Sequence, residues 1–323
     1  MKKEKICVVG AGNWGKNHIK TLLSMNVTVG CVDKNISALK EISRAYPGVI
    51  CFSTIEKSLN ENFDGYVVAT PSSTHYEVAK SLIINRKPTL VEKPLALNVV
   101  DARKLKKILQ EHSGKLLVGH LLLFHPAILK IKSLIDKGEI GRIQYIYSNR
   151  LNLGKVRKEE NVFWSLAPHD ISLFQFLCES YPSKIFIEGE SFLQEYIHDT
   201  TITYLKYPNK IQGHIYVSWL HPFKEHRLVI IGSKGSIHFE DSFSNKPLLL
   251  YEKKQLKPNE SPLNLSNKKP IKIKYKNITP LENELKYFLG VINGESIKKA
   301  NIDEGINVVS ILEEASKKLN RKN

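Results

Sequence analysis

At 323 residues the chain has room for two domains or one large one, and its 42% hydrophobic content is ample for a sizeable core. No apolar run approaches the ~20 residues of a membrane helix, and the four cysteines (Cys7, Cys31, Cys51, Cys178) form neither CxxC nor a metal spacing, so the expectation is a reducing, cytoplasmic setting with no membrane and no metal. The net charge of +16 comes mostly from Lys and lacks basic runs interleaved with stacking aromatics; it reads as Lys-, Asn- and Ile-rich coding bias plus an anionic small substrate, not as nucleic-acid binding.

The chain opens on a basic start and a short apolar run, then ICVVGAGNWG, with Gly10, Gly12 and Gly15 at the GxGxxG spacing. The apolar run reads as a first strand and not as a signal peptide. Gly10 permits a tight turn, Gly12 lets backbone approach a pyrophosphate, and Gly15 lets the following helix pack closely on the strand. The helix N-terminus at Asn13 and Trp14 offers free N–H groups and partial positive charge to phosphates. Asp33 ends the next apolar run, about twenty residues on, where a carboxylate bonds a ribose 2′-hydroxyl and repels a 2′-phosphate. The pattern predicts NAD in preference to NADP, with Lys34 able to soften the choice.

Over the first ~120 residues strand and helix signals alternate, as a parallel α/β sheet requires. Strands are predicted at 5–9, 27–32, 49–51, 65–69, 89–91 and 116–119, and helices at 14–25, 36–46, 74–84 and 99–112. Two segments leave strands at the carboxyl edge, where doubly wound folds bind ligands. In Ala69-Thr70-Pro71-Ser72-Ser73-Thr74-His75, backbone and small hydroxyls suit the nicotinamide ribose; helix capping explains the same Ser and Thr residues equally well. In Val91-Glu92-Lys93-Pro94, a lysine placed there can orient a sugar hydroxyl and share its proton, and a cis Pro94 would fix the turn. The cofactor set is therefore Gly10, Gly12, Asn13, Trp14, Gly15, Asp33, Thr70, Pro71, Ser72, His75, Glu92 and Lys93.

After ~125 the pattern changes. A helix spans 126–137. Alternating strands follow at 142–151, 184–191, 199–206, 210–218, 226–232 and 235–239, which predicts a mostly antiparallel sheet with an open face. A helix is expected from about His169. The Lys-, Asn- and Pro-rich stretch 244–280 reads as an irregular loop with an edge strand at 271–275, and helices at 281–293 and 303–319 close the chain. The domain division expected is 1–121 and 122–323.

GAGNWG, then ATPSSTH, then VEKP, in this order and spacing, resembles the Gfo/Idh/MocA family of nicotinamide-dependent sugar and polyol oxidoreductases, and the resemblance covers nearly the whole chain. It implies a Rossmann domain followed by an α+β domain whose open-faced sheet often makes the oligomer contact, so a homodimer or homotetramer is expected. It also implies catalysis by Lys93 with a histidine of the second half, here His169 in Trp164-Ser165-Leu-Ala-Pro-His169-Asp170. Family members commonly carry Asp four residues before this His; this chain has Ser165, which orients an imidazole without raising its pKa. Asp170 is adjacent, but helix neighbours do not face each other.

The remaining candidates for substrate contact are His125, equally readable as structural, and the cationic run Arg150, Asn152, Lys155 and Arg157, followed by Trp164. Arginines suit bidentate capture of phosphate or carboxylate. Family members resembling this chain include dehydrogenases that oxidise C3 of UDP-N-acetylglucosaminuronic acid, the leading substrate expectation. Keto-sugar reduction, polyol oxidation and a non-catalytic NAD(P)-binding sensor are the alternatives.

Overall fold

The structure, a computed structural model, describes residues 3–154, 156–158, 160–252 and 269–319. The chain divides into two compact units, Met1–Phe124 with Ile278–Ser310, and His125–Asn277 with Ile311–Asn323.

The first unit alternates β1 (Lys5–Val9), α1 (Asn13–Ser24), β2 (Thr28–Val32), α2 (Ile36–Ala45), β3 (Ile50–Phe52), α3 (Ile55–Leu59), β4 (Gly65–Val68), α4 (His75–Ile84), β5 (Thr89–Glu92), α5 (Val99–Glu111) and β6 (Leu116–Gly119). All pairings are parallel, in the order β3-β2-β1-β4-β5-β6. That is the doubly wound order, reversing between β1 and β4. β1, β4, β5 and β6 are apolar runs buried almost throughout, as strands covered on both faces must be. Side-chain caps begin several helices: Asn35 accepts from Ser37 N–H before α2, and Asn98 from Asp101 N–H before α5.

The second unit contains α6 (Pro126–Asp136), β7 (Ile143–Leu153), α7 (Val162–Cys178), β8 (Lys184–Glu190), β9 (Thr200–Lys206), β10 (Gln212–Ser218), β11 (Leu220–Gly232), β12 (Gly235–Glu240), β13 (Leu248–Glu252) and β14 (Ile271–Lys272). These strands form one sheet ordered β14-β13-β12-β11-β7-β10-β9-β8, antiparallel except for the β10–β7 pair. One cross-strand row reads Phe186, Tyr204, His214, Tyr147, Val229, His238 and Leu249. Every member is at least partly exposed, and His214 stacks on Tyr147 at 5.0 Å. The next row, Ile187, Thr203, Ile215, Ser148, Leu228, Phe239 and Leu248, is buried. Period-two alternation thus gives the sheet one core face and one open, aromatic face.

Two helices close the chain, α8 (Pro280–Ile292) and α9 (Ile302–Leu319), with the division between units falling inside α9. Contacts group Ile278–Ser310 with the first unit, unlike the simple 1–121 and 122–323 division. Phe288 and Ile292 of α8 lie against Gly65, Asn283 donates to the Phe124 carbonyl at 3.0 Å, and Lys115 donates to the Val291 carbonyl at 2.8 Å.

Beyond the unexpected short α3 and an edge strand β14 that stops at Lys272 and not at 275, three elements differ from the sequence reading. Helix α7 starts seven residues before His169, because Asn161 caps it by accepting from Trp164 N–H and the helix runs through Pro168. β11 begins at Leu220, extending across a register shift between Leu220 and Glu225. β13, inside the expected irregular stretch, pairs with β12; part of that stretch, 253–268, lies outside the described residues.

Gly15 makes the tightest approach in the first unit. A Cβ built there would lie 1.8 Å from the Gly10 carbonyl oxygen. Gly15→Ala is expected to force α1 off β1 and lose about 1–3 kcal/mol of stability, measurable as a lowered urea midpoint; an unchanged midpoint would show that α1 shifts freely.

Candidate active site

The carboxyl ends of β1, β2, β4 and β5 assemble the cofactor half of the site. After β1 the chain turns at Gly10, whose φ is +110° and whose Cβ would meet Ala69 O at 2.6 Å. Only glycine suits both the conformation and the space. A Cβ at Gly12 would meet no protein atom within 4 Å, so packing does not require glycine there. That is the behaviour expected of a position kept bare for a ligand's approach. Gly12 is the N-cap of α1 and makes no side-chain cap; Asn13 and Trp14 are exposed in its first turn. The first-turn N–H groups of a helix suit an anion.

Asp33 closes this loop from β2. Its Oδ2 accepts from Ala11 N–H at 2.7 Å and its Oδ1 from Asn35 N–H at 2.8 Å. Each oxygen keeps a further lone pair, so the carboxylate both braces the glycine loop and can accept from a ribose hydroxyl. These features fit a dinucleotide.

From β4, Thr74 Oγ1 donates within the Thr70–Pro71 turn. Thr70, Pro71 and Ser72 are half-buried or exposed there. His75 is different. It is buried, with Nδ1 2.7 Å from the Pro94 carbonyl and Nε2 2.9 Å from the Thr70 carbonyl. Each ring nitrogen faces a carbonyl, and a neutral ring carries one N–H, so His75 donates to one of the two loops at a time and presents neither nitrogen to the cofactor. Burial lowers its pKa from the ordinary histidine value.

From β5 comes Glu92, then half-buried Lys93, with the Lys93–Pro94 bond cis. Glu92 is buried and bonds inward: Oε1 is 2.8 Å from His18 Nε2, and Oε2 accepts from Lys93 N–H at 3.3 Å. Burial pushes its carboxyl up, but the bond to His18 and the charges of Lys93 and His75 outweigh that and hold it below the usual range. Glu92 therefore supports the loop from beneath. His18 was missed in the sequence, although it stands three residues after Gly15.

The second unit holds the other candidates. Arg150 on β7 places a fork on Asp170 of α7, Nε to Oδ2 at 2.7 Å and Nη2 to Oδ1 at 2.9 Å, with both side chains nearly buried. The expected free oxyanion grip at Arg150 is therefore corrected: its bidentate geometry is already occupied by Asp170. His125 is also corrected toward its structural reading. It caps α6 by accepting from Ala127 N–H at Nδ1, and its buried ring lies 5.1 Å from Phe239 and 6.0 Å from Tyr275. Trp164 donates Nε1–H to Ser316 at 2.8 Å. Asn152 is half-buried beside Gly154. Arg157 is exposed and pairs with Glu160 at 3.0 Å; Lys155 lies outside the described residues. His169 is half-buried on α7, one turn after buried Ser165. Among the described residues no group of three or more His, Cys, Asp or Glu stands where it could hold a metal ion, and no helix is long and apolar enough to cross a membrane.

Comparison with known proteins agrees with this geometry. An oxidoreductase family with an NAD-binding Rossmann fold matches residues 4–120, and the GFO/IDH/MocA C-terminal domain matches 128–238. The chain belongs to the Gfo/Idh/MocA family. It is an NAD-binding oxidoreductase of that family's sugar and polyol dehydrogenase type. The scyllo-inositol 2-dehydrogenase (NAD(+)) of Bacillus subtilis is 25% identical over 248 residues, 72% of each chain. The UDP-N-acetylglucosamine 3-dehydrogenase of Acidithiobacillus ferrooxidans is 28% identical over 184 residues, 55% of each; its solved structure has a TM-score of 0.86 at 21% identity, covering 99% of both chains. A dehydrogenase from Bordetella pertussis solved with NADH and UDP-GlcNAcA has a TM-score of 0.78 at 18% identity, covering 100% of this chain and 98% of that one.

The Arg150–Asp170 pair generates a stability prediction. Arg150→Ala leaves a buried carboxylate unpaired and is expected to cost about 3–5 kcal/mol, whereas Arg150→Met with Asp170→Leu restores most of the loss. Urea unfolding of the single and double variants checks both.

Proposed function

We propose that this oxidoreductase transfers hydride between NAD and a ring carbon of a sugar, Lys93 exchanging the proton of the reacting hydroxyl. The carrying observation is the position of Lys93: half-buried on a braced turn at the carboxyl edge of β5, in the same unit as the glycine loop and Asp33. NAD, when bound, supplies the hydride acceptor. Gly10, Gly12 and Gly15 shape its loop, Asn13 and Trp14 open α1 beside it, and Asp33 accepts from its ribose. Thr70, Pro71 and Ser72 line the neighbouring turn. Lys93 orients the hydroxyl and takes its proton as hydride leaves. His169 is the second acid–base group on the strength of the family resemblance.

The substrate reading is an anionic nucleotide sugar such as UDP-N-acetylglucosaminuronate, oxidised at C3 for surface-polysaccharide synthesis in the cytoplasm. The basic net charge of +16 supports an anionic substrate. With Arg150 engaged by Asp170, the remaining cationic candidates are Lys155 and Arg157, with Asn152, Trp164 and His169 as neighbours in sequence. A second reading, oxidation of a free polyol, is favoured by the inositol dehydrogenases among the relatives.

Stopped-flow absorbance of reduced nicotinamide, with enzyme and NAD against UDP-sugars, uronates and free polyols, separates these readings. The expected result is signal with a UDP-uronate, reduced at least 100-fold in Lys93→Ala and strongly reduced in His169→Ala, with NAD affinity retained in His169→Ala. Signal with inositols alone would select the polyol reading. Silence with every substrate, and with NADH and keto-sugars, would leave a non-catalytic sensor.

We further propose that a second copy of this chain covers the open sheet face. The row from Phe186 to Leu249 is aromatic and apolar across seven strands, a contiguous patch of the kind that marks an interface. Light scattering at micromolar concentration is expected to give a dimer or tetramer that Tyr147→Glu dissociates; a monomer in the unaltered protein would overturn this.

A further inference from the structure

Four elements of the first unit converge beneath Lys93 with ionisable groups that the reaction described above does not use. α1 contributes His18, β5 contributes Glu92, the end of β6 leads into His120, and α8 contributes Glu284. His18, His120 and Glu284 are at most 1% exposed. The site is built closely. Glu92 pairs with Gly119 in the β5–β6 ladder, and a Cβ on Gly119 would lie 3.1 Å from Glu92 Oε2, so a larger residue there would press on the carboxylate.

The hydrogen bonds assign the protons. His18 Nε2 faces Glu92 Oε1, while His18 Nδ1 is buried without a partner among the described residues. A buried N–H with no acceptor is costly, so the proton of a neutral ring sits on Nε2 and is donated to Glu92. Both ring nitrogens of His120 and both carboxyl oxygens of Glu284 are likewise buried without a hydrogen-bond partner among the described residues. A carboxylate in that position would be an uncompensated charge. Burial, reinforced by the Glu92 charge, pushes Glu284 well above the usual carboxylate range, and burial pushes His120 down to about 4. The groups facing Glu92 are thus His18, His120, His75, Glu284 and Lys93, and burial pushes the His75 and His120 rings toward their neutral forms.

We propose that Glu92 is a positioning residue for Lys93, the single carboxylate of a buried cluster in which His18 orients it and Glu284 is its uncharged companion. One carboxylate then supports the Lys93 turn. Glu92 holds the Lys93 backbone through Oε2 and favours the protonated amine through its charge. The inference rests on the reading of Lys93 as the acid–base group, and its test separates the two.

Lys93→Ala, Glu92→Gln, Glu284→Gln and Glu284→Met are compared as purified NAD-loaded enzyme. With Lys93→Ala inactive, Glu92→Gln is expected to lower kcat roughly tenfold, with little change in KM, and to move the acidic limb of the kcat profile to lower pH. A loss of kcat without that movement, or no loss, overturns the positioning role while the Lys93 reading stands. An active Lys93→Ala overturns the Lys93 reading, and with it the role of Glu92.

Thermal melts test the uncharged companion independently of activity. A carboxyl whose folded pKa is raised contributes stability that is complete below its unfolded value, near 4.5, and is lost as pH rises toward the folded value. Glu284→Gln cannot ionise and escapes that loss. Its Tm minus that of the unaltered protein is therefore expected to increase as pH rises above about 4.5. Glu284→Met should show the same trend, so a misfit of one side chain does not decide the result. A difference that is flat or falls with pH in both variants overturns the assignment.

Discussion

The pairing of β1 with β2 on one side and β4 on the other is the constraint on which the first unit depends. Val9 is in register with Val32 and with Val68, so Gly10, Asp33 and Ala69 leave the sheet at one level. Backbone hydrogen bonds extend the ladder past the strands: Gly10 N–H donates to Val32 O and Ala69 N–H to Val9 O. The glycine loop is thus fixed by main chain, which explains the demand for glycine at 10 and 15. Side chains only finish the arrangement, as Asp33 does by accepting from Ala11 N–H. Because strand order reverses at β1–β4, the loops diverge and leave a crevice that a dinucleotide fits.

What was legible in the sequence was local. The glycine spacing, Asp33, and the loops after β4 and β5 follow from turn chemistry and strand pattern, and they fell where expected. The obscure parts depend on partners distant in sequence. Nothing in the Arg150 segment announces Asp170, twenty residues on, as the owner of its guanidinium. His18 and Glu92 are 74 residues apart, and Glu284 comes from the far end of the chain. The start of α7 was hidden because Pro168 mimics a helix boundary, while the Asn161 cap is a weak signal without its geometry. β13 opens on three leucines and ends on Tyr251 and Glu252, and its strand state is set by pairing with β12.

The fate of Arg150 also changes how charge should be read. A high count of basic residues suggests anion recognition, but a buried fork on a carboxylate is close to neutral as a pair. His226 lies opposite Arg150 in the β11–β7 ladder; burial, then Arg150 and Lys224, push its pKa down to about 3. The arginine thus pins α7 to the sheet and adds to the burial that disfavours charge on His226.

That pinning bears on acid–base chemistry. With both Asp170 oxygens accepting from Arg150, Asp170 is no substitute for the Asp that the family resemblance leads one to expect at position 165. His169 points about 100° away from Asp170 around the helix, and the residue on its own face one turn back is Ser165. A hydroxyl can orient an imidazole but lends it no charge. Lys93, by contrast, rests on Glu92, whose ionised form is supported by His18. On the proposed reading, this support favours the protonated form of Lys93 as it takes the hydroxyl proton.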